Sequence, residues 1–191
     1  MSTQQRRLYV SMIASLDGFI EGPNRELDWF HDGNPQFEQY CEEMIDGVGV
    51  AVYGRRAYEL MIRYWPDAEV SPRSAQDLAF ARKMNALPKV VLSRTLEQAT
   101  WRNTRVVRDV EAIAALKREA GKPIVAWAGA GLVSALAQRG LVDEYRMIVH
   151  PVVLGGGTPY FQNVTSRLQL RQVRAQTLAG GISVLCYEPQ R

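Results

Sequence analysis

Three short segments of the chain carry residue types that suit phosphate binding. Each segment directly follows an apolar, strand-like run. The segments are Gly54, Arg55 and Arg56, then Ser93 and Arg94, and lastly Gly129, Ala130, Gly131 and Leu132. Small residues let a backbone approach a ligand closely, the first turn of a helix offers free amides, and arginine contacts phosphate through two donors. Together the segments predict a site for a phosphate-bearing ligand.

The glycine segment is not a dinucleotide fingerprint of the Rossmann type. That motif needs a third glycine, where this chain has Ser134, and an acidic residue about 20 positions further on, where it has His150. A tight turn without a ligand is therefore the alternative interpretation. Arg55 and Arg56 favour a ligand, because cations are unfavourable in the first turn of a helix unless an anion lies there. Solvated arginines are equally compatible with that pattern.

The hydrophobic pattern predicts the elements that must position these segments. Apolar runs predict strands at 8–14, 48–54, 89–93, 104–108 and 123–128, and helical spacing predicts helices between them. Three strand-like segments without intervening helices follow at 144–154, 167–178 and 182–188, with a bulge near Arg171 and Gln172. The sequence therefore predicts an α/β fold with a mostly parallel central sheet, helices on both faces and antiparallel C-terminal strands. Because parallel strands end at a shared edge, we expect the three segments to meet there.

Composition and charge exclude several classes of protein. The chain has 191 residues without an internal repeat or linker, which indicates one domain over 1–191. The formal net charge of +3 comes from scattered basic residues, which argues against nucleic-acid binding. No apolar stretch approaches the roughly 20 residues that cross a bilayer, and no signal-peptide pattern is recognised. We therefore expect a cytoplasmic protein without a membrane partner.

The cysteines and histidines do not predict a metal or redox site. Cys41 and Cys186 are far apart in sequence, and we expect two reduced core thiols. His31 and His150 are the only histidines, and their spacing supports no metal site. His31 lies in a polar loop, where it is either a proton donor to substrate or a solvated side chain. His150 precedes Pro151 on a strand, and we expect a structural role for it.

Candidate substrate residues lie in the loop after the first strand and near residue 160. Asp17 is the first choice for a group that orients or protonates the substrate, with Asp28 and Asp32 as alternatives. Three aromatic residues could stack on a flat heterocycle or simply fill the core: Trp29, Tyr160 and Phe161. The pattern by itself does not choose between stacking and core packing.

Segments along almost the whole chain, about residues 8–188, resemble one protein family. They include SLDGFIEGPNRELDWF, YGRRAYELMIRYWP, FARKMNALPKVVLSRTLE and GLVDEYRMIVHPVVLGGGTPYF, in the same order as in that family. The sequence is similar to dihydrofolate-reductase-like proteins related to the reductase domain of bacterial riboflavin biosynthesis. The resemblance implies a three-layer α/β/α fold of the dihydrofolate reductase type, NADPH as cofactor and, often, a homodimer.

The resemblance also implies that the three segments hold the phosphates of NADPH. After the second predicted strand, Gly54, Arg55 and Arg56 would contact phosphate groups. Ser93 and Arg94 would hold the adenosine 2′-phosphate, which distinguishes NADPH from NADH. Backbone amides would reach the pyrophosphate from a further set: Gly129, Ala130, Gly131 and Leu132.

Other residues would surround the nicotinamide, again as the resemblance implies. Ala14 would contact the carboxamide through its backbone, and Asp17 and Gly18 would begin a mobile loop over it. Gly155 and Gly156 would close the far side of the cleft. The substrate would then lie between the loop with Asp17 and Trp29 and the segment 155–161, whose Tyr160 and Phe161 would contact it.

Three departures from the family pattern bear on activity. Ala57 replaces a threonine, which removes a phosphate hydrogen bond worth about 1 kcal/mol. Ala128 and Gly129 replace two glycines, so we expect the strained peptide of dihydrofolate reductases to be absent. Asn34 stands where those enzymes carry a carboxylate, which makes folate a poor substrate candidate.

The sequence thus predicts an NADPH-dependent reductase that transfers a hydride to a small heterocycle or its ribosyl derivative. One alternative is a 5-amino-6-(5-phosphoribosylamino)uracil reductase of riboflavin biosynthesis, which acts on a phosphorylated pyrimidine. Another is a non-catalytic, nucleotide-binding homodimer of the same fold, which Ala57 and Asn34 favour.

Overall fold

The computed structural model describes residues 5–30, 33–127 and 129–190. The strands are β1 (Leu8–Ser15), β2 (Phe19–Glu21), β3 (Val50–Gly54), β4 (Lys89–Leu92), β5 (Thr104–Val107), β6 (Ile124–Ala126), β7 (Glu144–His150), β8 (Thr158–Pro159), β9 (Leu170–Thr177) and β10 (Ser183–Pro189). The helices are α1 (Pro35–Asp46), α2 (Arg55–Met61), α3 (Trp65–Val70), α4 (Ala75–Ala86), α5 (Glu111–Arg118) and α6 (Ala130–Gln138). The hydrophobic pattern did not predict α3.

The central sheet has eight strands in the order β5-β4-β3-β6-β1-β7-β10-β9. Neighbouring strands from β5 to β7 are parallel, whereas β10 is antiparallel to both β7 and β9. The predicted α/β fold with antiparallel C-terminal strands is therefore confirmed. The predicted bulge lies one residue from its expected position, because Cys186 and Tyr187 pair with Arg174 and Gln172 and leave Val173 as the extra residue.

Both faces of the central sheet are covered, which explains the apolar character of both sides of β1. Successive side chains of a strand point to opposite faces. Val10 and Met12 belong to a core with Leu136 of α6, whereas Ile13 packs against a second core that contains Met44 of α1. These two sides are named the α5/α6 face and the α1/α4 face. Helices on both faces of the sheet make the three layers.

A second, small sheet joins the loop after β1 to the loop after β7. β2 pairs antiparallel with β8, and Thr158 Oγ1 donates to Glu21 Oε1 at 2.6 Å. Gly157 has a φ of +132°, and a Cβ at this position would overlap the carbonyl oxygen of Glu21. Only glycine therefore fits between the two loops.

Among the described residues, no helix is long and apolar enough to cross a membrane. The same residues contain no group of three or more His, Cys, Asp or Glu side chains placed to hold a metal ion. Burial raises the pKa of the Cys41 thiol to about 12, so this cysteine is protonated at neutral pH, and Cys186 is fully buried.

Candidate functional site

The three candidate phosphate segments converge on one edge of the sheet. β4, β3 and β6 are neighbours, and their carboxyl ends at Leu92, Gly54 and Ala126 lead directly into the three segments. A Cβ placed on Gly54 would lie 3.6 Å from Leu132 Cβ, so the first turn of α6 packs beside the end of β3. The term "phosphate rim" below denotes residues 54–56, 93–96 and 129–132.

Arg55 and Arg56 have carboxylate partners within the protein. Arg55 Nε donates to Glu59 Oε1 at 2.6 Å, and Arg55 Nη1 donates to Thr95 Oγ1 at 2.5 Å. Arg56 Nη2 lies 3.3 Å from Glu21 Oε1. Glu59 and Glu21 thus supply negative charge to both arginines without a ligand, an arrangement that the sequence analysis did not consider. The two arginines brace the rim, and their position alone is not evidence for an external phosphate.

Ser93 shapes the turn that follows β4. Its Oγ accepts hydrogen bonds from the N–H groups of Thr95 at 3.3 Å and Leu96 at 3.0 Å, and the side chain is buried. Arg94 is exposed and, within the described ranges, has neither an ion pair nor a hydrogen bond. The turn therefore presents one cation whose charge no carboxylate of the described chain neutralises.

The first turn of α6 leaves room above its backbone. The N–H groups of Leu132 and Val133 donate to the carbonyl of Gly129 at 3.0 and 3.3 Å, so the N–H groups of Ala130 and Gly131 precede the intrahelical bonds. A Cβ on Gly129 or Gly131 would meet no atom within 4 Å. The side chains of Ala130 and Leu132 are buried, which leaves only their backbone for a ligand. Ala128 lies outside the described residues, so the predicted absence of a strained peptide there stays a prediction.

A gap opens in the sheet beside α6, because β1 is longer than its neighbour β6. β6 pairs with β1 only from Leu8 to Val10, whereas β7 accompanies β1 as far as Ser15. The edge of β1 from residue 11 to residue 15 on the β6 side is therefore not covered by that strand. Trp127, half-buried, follows β6 at this point.

The main chain of Ala14, predicted to contact the nicotinamide, does not face this gap. The N–H of Asp143 donates to the carbonyl of Leu8 at 2.9 Å, and the N–H of Leu16 donates to the carbonyl of Val152 at 2.8 Å. Because main-chain groups alternate between the two sides of a strand, even-numbered residues of β1 direct theirs toward β7. The main chain of Ala14 therefore faces β7, and that of its neighbour at position 13 faces the gap.

Asp17 ties the two loops at the end of β1 and β7 together. Its carboxylate accepts hydrogen bonds from Ser15 Oγ at 2.7 Å, from the Leu154 N–H at 3.1 Å and from the Gly155 N–H at 2.8 Å. The Ser15 hydrogen bond, followed by those two amides, lowers the pKa of Asp17. Asp17 is thus ionised at neutral pH and has no proton to donate, which favours an orienting role over protonation of a substrate. Gly18, at a φ of +85°, allows the chain to turn directly after Asp17.

Gly155 and Gly156 lie in the loop that Asp17 holds. Gly155 has a φ of +71°, and a Cβ on Gly156 would contact Pro23 Cγ at 3.5 Å. The loop after β7 is therefore packed against the loop after β1. Gly157 completes this contact, and sequence reasoning missed its role although the run of three glycines was visible.

Trp29 lines a cavity at the end of β7. The cavity of about 320 Å³ is bounded by Trp29, His150, Pro151 and Val152. The rings of Trp29 and Phe37 stand nearly perpendicular to His150, with centroid distances of 5.9 and 5.7 Å. A volume of this size is at the lower end of the range for small-molecule sites. His150 is therefore a wall of this cavity, a role that sequence reasoning did not assign.

Tyr160 and Phe161, predicted to contact the substrate, pack in or against the core, and their contact with a substrate stays a prediction. Tyr160 is 1% exposed and belongs to the core on the α5/α6 face, where Phe161 packs on it at 4.7 Å and on Tyr145 at 5.5 Å. Trp29, by contrast, contacts His150 beside α1, on the opposite face of the sheet. One small substrate cannot contact both sets. His31 and Asp32, also predicted near the substrate, lie outside the described residues.

Asn34 has a structural role at the position where the family pattern has a carboxylate. Its Oδ1 accepts from the N–H groups of Gln36 at 3.1 Å and Phe37 at 3.2 Å and so caps α1. Its Nδ2 donates to the carbonyl of Ala179 at 2.7 Å. Asn34 thereby fixes the start of the helix that carries Phe37 to the cavity wall. Ala57 packs against the core on the α1/α4 face.

Comparison with known proteins agrees with this geometry. The RibD C-terminal domain family matches residues 6–184. The chain is 35% identical over 189 residues to the uncharacterized protein YyaP of Bacillus subtilis, covering 96% of this chain and 95% of that protein. A crystal structure from Shewanella sp. PV-4, whose name links it to riboflavin biosynthesis, superposes with a TM-score of 0.72 at 21% identity over 97% of this chain and 99% of the other. Dihydrofolate reductase from Enterococcus faecalis, complexed with NADP(H), superposes with a TM-score of 0.65 at 14% identity over 98% of both chains.

Proposed function

The chain belongs to the RibD C-terminal domain family, and we propose that it is an NADPH-dependent reductase of a small heterocyclic or ribosyl-heterocyclic substrate. The observation that carries the proposal is the convergence of three strand ends on one rim with open space over Gly129 and Gly131. The structural likeness to a dihydrofolate reductase complexed with NADP(H) supports a nucleotide cofactor.

The rim fits the phosphates of the cofactor. Arg94 offers a guanidinium without a partner among the described residues, and the glycines at the start of α6 allow close approach to two backbone amides. Arg55 would act mainly by holding the turn at Thr95, since its Nε is engaged by Glu59. When bound, NADPH supplies a hydride from the nicotinamide C4, and the protein supplies orientation and a dry site.

The chain's own residues would place and shield the reacting groups. The uncovered main-chain edge of β1 offers hydrogen-bonding groups to a carboxamide, with Ile13 as the residue that faces the gap. The Asp17 carboxylate holds the loop with Leu154 and Gly155 against the end of β1, which would limit the access of water. The cavity between Trp29 and His150 has an aromatic wall that suits a flat heterocycle.

The test is binding and turnover with purified protein. NADPH at a hundredfold excess over its dissociation constant is expected to raise the free energy of unfolding by about 2.7 kcal/mol. Slow oxidation of NADPH in the presence of pyrimidine, pterin or ribosyl-pyrimidine candidates, followed at the absorbance of the reduced nicotinamide, is expected to identify the substrate class. If NADPH does not stabilise the protein and no candidate substrate leads to oxidation of NADPH, the result favours the non-catalytic alternative.

A further inference from the structure

Arg108 directly follows β5, next to the phosphate rim, and sequence reasoning assigned it no role. Its Nη1 donates to the carbonyl of Ser93 at 2.9 Å and to the carbonyl of Leu96 at 2.7 Å. The N–H of Ser93 also donates to the carbonyl of Val107 at 3.0 Å. Arg108 thus closes both ends of the turn 93–96, while the Ser93 hydroxyl caps the turn from inside.

We infer that Arg108 is a positioning residue that sets the preference for NADPH over NADH by holding Ser93 and Arg94 at the 2′-phosphate. This inference rests on the proposed function. Two arginines from different parts of the chain donate to the same turn. Arg55 of α2 donates to Thr95 Oγ1, and Arg108 donates to the carbonyls of Ser93 and Leu96. These contacts hold the turn that carries Ser93 and Arg94, and a binding segment whose backbone is already ordered loses less entropy when the ligand arrives.

The charges around the turn favour the same conclusion. Within residues 5–30, 33–127 and 129–190, no carboxylate forms an ion pair with Arg94 or Arg108. The neighbouring Asp109 is occupied at the start of α5, where its Oδ1 accepts from the Ala112 N–H at 3.1 Å. Arg108 uses only Nη1 in the turn, so its charge adds to that of Arg94. One guanidinium carried by the turn and a second that donates to it, both without an ion pair in the described ranges, suit a phosphate monoester, which carries close to two negative charges at pH 7.

The experiment measures dissociation constants of NADPH and NADH for the wild type and for Arg108→Ala. We expect the variant to lose about tenfold in affinity for NADPH and to keep its affinity for NADH within about twofold, since NADH lacks the 2′-phosphate. Arg108→Lys retains the charge and is expected to recover part of the preference. Arg105→Ala is the matched control, because Arg105 is an exposed arginine of β5 that lies towards the other end of this strand.

The outcomes separate the inference from the proposed function. A wild type that prefers NADPH, with an Arg108→Ala variant that keeps the same ratio of affinities, overturns the inference alone. Equal loss of affinity for both cofactors also overturns it, because a general structural defect acts on both. A wild type that binds neither cofactor overturns the proposed function and the inference together. If Arg108→Ala does not fold, judged by circular dichroism, Arg108→Gln and Arg108→Lys give the same comparison of ratios.

Discussion

The parallel strands of the central sheet begin along one side, named here the amino edge, and end along the opposite side, named the carboxyl edge. Both sides carry cationic side chains, but these side chains have different hydrogen-bond partners. At the amino edge, Lys89 Nζ donates to the carbonyls of Met84, Asn85 and Leu87 at 2.9, 3.2 and 2.7 Å, and the ammonium lies 4.4 Å from the Trp101 ring centroid. At the carboxyl edge, Arg94 has no such partner within the described part of the chain. Lys89 at the amino edge is thus part of the fold, whereas Arg94 at the carboxyl edge is available to a ligand.

The size of a cavity does not distinguish the two edges. A cavity of about 470 Å³ lies at the amino edge, where Arg6 and Lys89 form part of its wall. Arg6 Nε donates to the carbonyl of Lys122 at 2.6 Å, and burial lowers the pKa of both cations, to about 8 for Lys89. The charged groups of Arg6 and Lys89 already donate hydrogen bonds to main-chain carbonyls instead of to water. Lys89 and Arg94 therefore differ in spare hydrogen-bonding capacity, and four substitutions test whether this difference separates a structural edge from a binding edge.

Lys89→Met should have the largest effect on stability. It removes the Lys89 donor from the carbonyls of Met84 and Leu87, whereas the carbonyl of Asn85 keeps its donors from Arg102 and Asn103. The loss is expected to cost about 2–4 kcal/mol of unfolding free energy. The affinity for NADPH should stay within about twofold, because the amino edge lies at the other end of the strands. Urea denaturation and cofactor titration measure the two quantities. A large loss of NADPH affinity in a folded Lys89→Met protein would break the distinction between the edges.

Arg94→Ala should show the opposite pattern. An exposed side chain without partners contributes little to stability, so the unfolding free energy should change by less than about 0.5 kcal/mol. The affinity for NADPH should fall by about 10- to 100-fold, since a hydrogen bond to a charged group is lost. Arg63→Ala, at an arginine after α2, serves as the control for removal of one positive charge. Unchanged NADPH binding by Arg94→Ala would contradict the assignment of the carboxyl edge.

Gly131→Ala separates stability from binding at one position. Gly131 lies inside α6, and alanine is the better helix former by about 0.5–1 kcal/mol. Since a Cβ there meets no protein atom within 4 Å, the variant should melt at a higher temperature than the wild type. The added methyl group would nevertheless occupy the space proposed for the pyrophosphate and weaken NADPH binding. A more stable variant with unchanged affinity would place the cofactor elsewhere.

Asp17→Asn should have the smallest effect, visible in the pH dependence of stability. Hydrogen bonding, chiefly from Ser15, lowers the pKa of Asp17 in the folded state. A lowered carboxyl pKa contributes stability above the unfolded value near 4, and this contribution is lost as the pH falls through the folded value. The wild type should therefore melt above the variant at pH 7, and the difference should begin to shrink as the pH falls below about 4 and disappear only below the folded-state pKa. A constant difference across this range would show that ionisation of Asp17 is not its source.

The sequence was sufficient for the succession of the central-sheet strands along the chain and for the edge at which the three segments meet, although it did not predict α3. Apolar runs covered on both faces, followed by helical spacing, predict parallel strands, and parallel strands bring Gly54, Ser93 and Gly129 to one edge by topology alone. The local sequence determines which residues form each strand, and strand pairing then places each strand as a whole in the sheet. That is why the rim could be located without any side-chain detail.

Individual side-chain roles could not be read from the sequence in the same way. Arg55 and Arg94 have similar places after strands, yet one is held by Glu59 and Thr95 and the other is not. Tyr160 and Trp29 are both aromatic residues near loops, but they lie on opposite faces of the sheet. Such differences depend on partners far away in the chain.

The chain's own pattern therefore determined the architecture, the edge that suits a phosphate and the family resemblance. Only the tertiary structure decided which cations have spare donors, that Asp17 is held as a carboxylate by Ser15 and two amides, and that Arg108 closes the turn at Ser93. The physical reason is that periodicity and strand order are properties of contiguous residues. The charge state and hydrogen-bonding capacity of a side chain depend on atoms that folding brings from elsewhere.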